Sequence, residues 1–224
     1  MNYWKSNSMI RIAGLLLLSL PAMAQRGPGG PPQGSAGGNG GSFLIDTLPL
    51  QALDPMEKEG LLFMREEEKL AHDVYTKLFE KWNASVFDRI ADSEQRHTDS
   101  IQLLLDRYGL TDPVGSNGIG VFRDARLTTI YNDLMKKGAV SFTEALKVGA
   151  TIEDLDIRDL DQAIAATDNT DLKYIYDHLR SGSYNHIRAF LSQLKTLGIT
   201  YTAQYISQAA LDEILAGNGR NGRW

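Results

Sequence analysis

Two four-residue stretches, Glu94-Gln95-Arg96-His97 and Ser183-Tyr184-Asn185-His186, put histidines where helical periodicity expects apolar side chains. Spacing of i, i+3 sets both side chains on one helix face, so Glu94 and His97 can reach one ion or two adjacent ions. Three further acids, Glu68, Glu153 and Asp156, fall on inward stripes of other helical segments. Burying such groups unpaired is expensive, and a cation is the partner that satisfies carboxylates and imidazoles together. Oxygen and imidazole ligands without thiolate suit Fe, Mn or Zn better than Cu(I). The sequence contains no cysteine, which excludes thiolate metal sites, disulfides and cysteine nucleophiles.

The elements that must position these residues read as helix after helix. Asp54-Pro55 has the form of an N-cap with proline at the first helical position. From there Leu61, Met64, Glu68, Ala71, Tyr75, Leu78 and Trp82 recur at spacings of three and four, the seam of a packed helix. A second helix carries Phe87, Ile90, Glu94, His97, Ile101, Leu104 and Tyr108 and stops at Gly109, and the short connection at Asn83 makes the two antiparallel. A long connection to about Val140 follows, with one shorter helical pattern through Leu127, Ile130, Tyr131 and Leu134. Ser141-Phe142-Thr143-Glu144 is a capping box opening a helix with Phe142, Ala145, Gly149, Glu153, Asp156, Leu160 and Ala163 on its stripe. The next helix presents Leu172, Ile175, Leu179, Ser183, His186, Phe190 and Leu194 up to Gly198, and a last pattern covers about Tyr201 to Leu215.

The fold class expected is all-α: two helical hairpins joined by one long crossover, the connectivity of a ferritin-like four-helix bundle, with an extra C-terminal helix. In such bundles one Glu from each of two helices joins a Glu-x-x-His from each of the other two. Here Glu68, Glu94, His97, Glu153 and His186 supply that set, Ser183 stands where the second motif wants Glu, and Asp156 is the candidate to compensate. Two ions are expected, with a single ion or a lopsided pair as alternatives. The bland alternative is a ring of polar core residues bonded to one another. In the run Glu66-Glu67-Glu68 only Glu68 falls on the seam, so Glu66 and Glu67 are expected to be exposed. Tyr75 can bond a ligand or take part in one-electron chemistry, but an aromatic at a seam reads first as core. His72, His178, Arg96, Asp99, Ser100 and Asn185 read as surface residues, and Gly182 as a close approach or a kink.

Glu68-Lys69-Leu70-Ala71-His72-Asp73-Val74-Tyr75 resembles the first-helix pattern of ferritins and bacterioferritins. From about Leu50 to Leu215 the chain resembles the ferritin-like family catalogued as domain of unknown function 2202. The resemblance rests on Arg65–Ala71, Ser93–His97, Ile152–Ile157 and Ser183–Phe190. That family brings no settled activity. Wider ferritin-like relatives imply a di-iron or di-manganese centre handling ferrous iron, oxygen or peroxide.

The termini bound where this chemistry would happen. Lys5 and Arg11 precede the apolar run Ile12–Leu20, and Ala22-Met23-Ala24 has a small-x-small cleavage pattern, so residues 1–24 read as a secretory signal peptide. The expected location is periplasmic or secreted, with no membrane attachment after cleavage following Ala24. No twin arginine is present, which implies export unfolded and metal acquired after translocation. Removing Lys5 and Arg11 with no acid moves the formal net charge from −5 by two units to −7. An acidic chain without a basic run is a poor partner for nucleic acid or anionic lipid. Residues 25–42, rich in Gly, Pro, Gln and Ser, read as a flexible linker, 43–216 as the bundle and 217–224 as a flexible tail. The expected partners are metal ions and small oxidants; a homodimer is compatible with the sequence, whereas a closed cage is not expected. Three functions follow: an exported di-metal oxidoreductase or ferroxidase, an envelope module that binds metal without turnover, or a metal-free structural bundle.

Overall fold

The first helix begins as its sequence dictates. Asp54 accepts a hydrogen bond from the Glu57 amide at 2.8 Å, and Glu57 accepts one from the Asp54 amide at 2.8 Å. This reciprocal cap followed by Pro55 opens α1 (Pro55–Trp82). Asn83, left-handed at φ 49°, ends it by donating to the Phe79 carbonyl, and two residues later the chain returns as α2 (Ser85–Arg107). The remaining helices are α3 (Ala125–Gly138), α4 (Phe142–Ala166), α5 (Thr170–Thr196) and α6 (Gln208–Leu215). These belong to a computed structural model that describes residues 45–217, and no strand occurs among the described residues. The expected signal peptide, linker and most of the tail lie outside them.

α1 packs along α2 and α4 along α5; contacts of α1 with α4 and of α2 with α5 close the bundle, while α3 lies against α1 and α4. The apolar interior falls into two main clusters with a polar belt between them. One holds Tyr75, Phe87, Ala145 and Phe190; the other holds Leu61, Ile101, Leu160 and Leu179. On each of the four long helices the change from one cluster to the other occurs at the residues singled out by spacing: Glu68, Glu94/His97, Glu153/Asp156 and Ser183/His186. All of them are buried.

Three expectations need correction. Glu66 and Glu67 are buried, not exposed. Glu66 accepts hydrogen bonds from the amides of Arg123 and Asp124 and so ties the crossover to α1. Neighbouring side chains do the same: Arg65 pairs with Asp112 at 3.0 Å, Lys69 donates to the Gly118 carbonyl and Asp73 accepts from the Gly120 amide. A glycine-rich connection has few side chains with which to satisfy its own backbone, so the polar face of α1 supplies them. The third correction is at the C-terminus, where helix covers only Gln208–Leu215. Asp154, fully buried, accepts from the amides of Gln204, Tyr205 and Ile206 and from the Tyr201 hydroxyl. Those amides are thereby withdrawn from helix formation, and α6 starts at the Ser207 cap.

Candidate metal centre

Glu94 stands at the middle of the polar belt and offers one oxygen to each side. Its Oε2 is 2.8 Å from His97 Nδ1, and its Oε1 is 2.8 Å from His186 Nδ1. A second carboxylate completes each side: Glu68 Oε2 lies 3.3 Å from His97 Nδ1, and Glu153 Oε2 lies 3.3 Å from His186 Nδ1. The result is two groups of three, Glu68/Glu94/His97 and Glu94/Glu153/His186, each with ligand atoms within 4.8 Å of one another. The imidazoles stack with ring centroids 5.4 Å apart. Helices α1, α2, α4 and α5 each contribute, as the stripes require.

His97 Nδ1 and Glu68 Oε2 are hydrogen-bonded, but two other atoms of the set have no hydrogen bond. His186 Nδ1 faces two carboxylate oxygens without the alignment an N–H would need, and Glu68 Oε1 is buried with no partner at all. Lone pairs converging on common points are what a bound cation requires and what a hydrogen-bonded polar ring avoids. The donor set, carboxylate oxygen and imidazole nitrogen, fits Fe, Mn or Zn. Two ions held in this way would share Glu94 and have three protein ligands each.

The electrostatics agree. Burial raises the Glu68 pKa to about 7, with His97 opposing and Glu94 adding to the rise. Burial would raise Glu94 too, but the charges of His186 and His97 outweigh it and hold this carboxyl well below its usual range. Burial alone would lower His186, yet Glu94 and Glu153 push it up to about 9, and His97 is raised in the same way by Glu94 and Glu68. Burial and the Glu94 charge raise Glu153. The belt therefore favours positive charge, which divalent cations would provide.

Tyr75 is both core and neighbour of the site. Its fully buried ring lies 5.3 Å from that of Phe190, and its hydroxyl donates to Glu153 Oε1 at 2.5 Å. That bond fixes one oxygen of Glu153 and leaves Oε2 for His186. Asp156 is buried on the same wall of α4 but belongs to neither group of three. Its Oδ2 is 2.5 Å from the Ser183 hydroxyl, which also bonds the Leu179 carbonyl, and its pKa is raised by burial and by Glu68 and Glu153.

Gly182 marks a close approach. A Cβ there would meet His97 Nε2 at 2.4 Å, so only glycine lets α5 pass this near the imidazole. His178 is exposed, as expected, but its ring packs edge-on against His97 at 6.4 Å. His72 is half-buried beside Asp73, while Arg96, Asp99 and Asn185 are exposed. Sequence reasoning missed Glu67, buried on α1 beside Glu68 with Oε2 unpartnered. A run of three acids carries no periodic signal that separates one of them from the others.

Fold and site thus define an all-helical bundle with a buried carboxylate–histidine cluster at its centre. The family described as "Uncharacterized protein domain (DUF2202)" matches residues 57–218, and the chain belongs to it. It is 49% identical over 178 residues to "Uncharacterized protein MJ0754" of Methanocaldococcus jannaschii, a match covering 80% of this chain and 96% of that protein. The crystal structure of the hypothetical protein MJ0754 from Methanococcus jannaschii is similar, with 50% identity and a TM-score of 0.75 over 76% of this chain and 97% of that one.

Proposed function

We propose that this chain is an exported ferritin-like metal-binding protein whose belt holds two Fe or Mn ions bridged by Glu94, with Zn able to occupy the same ligands. The observation that carries the reading is Glu94 extending one oxygen toward each of two histidine–carboxylate groups at equal 2.8 Å separations. Glu68 and His97 would hold one ion, Glu153 and His186 the other. When bound, such ions supply one-electron redox chemistry toward ferrous iron, oxygen or peroxide. The chain's own part is to fix geometry, keep water out through the two apolar clusters and orient Glu153 through the Tyr75 hydroxyl. Three protein ligands per ion leave coordination positions for a small oxidant, which favours an oxidoreductase over a closed structural site. The apolar run Ile12–Leu20 followed by Ala22-Met23-Ala24 is what supports a periplasmic or secreted setting.

The test is metal content after refolding with Fe(II), Mn(II) and Zn(II), followed by oxygen uptake on adding Fe(II). Two equivalents bound by the wild-type chain, abolished by Glu94→Ala and sharply reduced by His97→Ala, is the expected result. Air-insensitive binding without oxygen uptake would replace turnover by metal storage. No binding by the wild-type chain would leave only a structural bundle.

A further inference from the structure

Nδ1 of His97 faces Glu94 at 2.8 Å and Glu68 at 3.3 Å, while Nε2 is turned toward α5, against Gly182. A ligating imidazole has one nitrogen for the ion and one N–H to place. Whatever takes that N–H sets the tautomer and the orientation of the ring. Carbonyl oxygens in the middle of a helix are already used by its own backbone ladder. The polar side chains of α5 around Gly182 are committed as well. Ser181 donates to the Asp177 carbonyl, Ser183 bonds Asp156 and the Leu179 carbonyl, and Asn185 accepts from Arg188 at 3.0 Å. On α2, Thr98 donates to the Glu94 carbonyl. Among the described residues, the polar side chain that remains beside this part of the His97 ring is His178.

His178, Gly182 and His186 stand one turn apart on α5 and so form a single file along that helix. His97 packs against both imidazoles of the file, opposite the glycine. It stacks on His186 with ring centroids 5.4 Å apart and 30° between the planes. It meets His178 at 6.4 Å and 72°, edge to face. A stacked pair presents ring faces to one another, whereas a near-perpendicular pair presents the edge of one ring, where the N–H groups lie, to its neighbour. His97 is buried and His178 is exposed, so His178 has solvent at hand on its outer side. A polar contact too long for a direct bond is completed by one bridging water at little cost.

We propose that His178 is a positioning residue for the His97 side of the belt: its imidazole nitrogen accepts the Nε2–H of His97 through one water and so aims the Nδ1 lone pair at the ion shared with Glu68 and Glu94. The inference rests on the metal-binding reading of the belt. It makes the two sides of the belt unequal, because among the described residues the His186 ring has only the stacked His97 as an aromatic neighbour. Gly182 belongs to the same arrangement, since the space it leaves lets His97 sit between the turns that carry His178 and His186.

The experiment is a Zn(II) titration of the full chain carrying nitrogen-15 histidine, with the ring nitrogens of His97 and His186 followed separately by long-range nitrogen–proton NMR. Wild type, His178→Phe and His178→Gln are compared. The first substitution keeps a ring and removes the acceptor, and the second keeps an acceptor and removes the ring. Wild-type His97 is expected to take Zn(II) at Nδ1 and to carry its proton on Nε2. In His178→Phe the affinity read at His97 is expected to fall about tenfold, the lower range seen when the partner of a ligating histidine is removed. The affinity read at His186 is expected to stay as in wild type, and His178→Gln to recover most of the loss at His97. Wild-type affinity with an unchanged His97 spectrum in His178→Phe would overturn the assignment while the metal centre stands. Equal losses in both variants would overturn the acceptor role, because the ring's shape would then be what counts. A wild-type chain that binds no Zn(II) overturns the metal reading and this inference together.

Discussion

Gly182→Ala adds one methyl group at the point where α5 passes His97. The new Cβ would lie 2.4 Å from Nε2 and 2.6 Å from Cε1 of His97, whereas ordinary contact starts at 3.4 Å. One partner must therefore withdraw by about 1 Å, twice the tolerance of about 0.5 Å within which a binding constellation keeps its geometry. His97 is the partner with least freedom, since Nδ1 is held 2.8 Å from Glu94 and the residue is buried. Overpacking of this kind costs about 1–3 kcal/mol, and the helix preference for alanine returns about 1 kcal/mol. Unfolding stability should consequently change by no more than about 2 kcal/mol. Ion binding at the His97 side should weaken by about 10- to 100-fold, while the His186 side keeps its affinity. Isothermal titration with Mn(II), paired with urea unfolding, separates the two effects. Wild-type affinity at both sites in Gly182→Ala would refute the claim that this glycine exists to make room for a ligand.

The remaining predictions concern pH, the crossover and the C-terminal segment. In chelator, His186 with its pKa pushed up to about 9 contributes stability that is complete below its ordinary 6.5 and lost as pH rises through 9. The loss is about 3 kcal/mol for a rise of this size. Glu68, raised to about 7 from 4.5, adds a loss of the same sign between those values, whereas Glu94, held low, gives a loss on the acid side. Urea midpoints across pH 6–9.5 should fall in chelator and flatten with saturating Mn(II); a midpoint that rises with pH in chelator would contradict this. Glu66→Ala removes the acceptor for the Arg123 and Asp124 amides and should cost about 1–3 kcal/mol, with amide exchange accelerated in residues 118–126 and metal content unchanged. Asp154→Ala strips four donors of their acceptor, and limited proteolysis should then cut between Tyr201 and Ser207 while α1 to α5 stay intact.

The bundle was legible because apolar residues on four helices recur at one period and the caps at Asp54 and Ser141 are local chemistry. The belt was legible for a related reason: an acid or histidine on an otherwise apolar stripe stands out at once. Glu94, His97, Glu153, His186 and Glu68 were all found in this way and do converge. What failed were residues whose burial depends on a loop. Glu66 lies off the seam of α1 and is covered only because the crossover folds over it and takes its oxygens. Asp154 carries no signal in its own helix that marks it out, yet it dismantles the first half of the expected last helix by accepting its amides. The role of Gly182 depends on the distance between α5 and α2, which periodicity does not encode. Asp156 shows the limit of face arguments, since it lies on the right wall but takes Ser183 as its partner.

Anomalous scattering from crystals of the full chain soaked in Mn(II) tests the central claim most directly. The account predicts two peaks about 3.5–4 Å apart, one beside each oxygen of Glu94, as a carboxylate-bridged pair requires. A belt without peaks at full Mn(II) occupancy elsewhere, or one peak remote from Glu94, would contradict it.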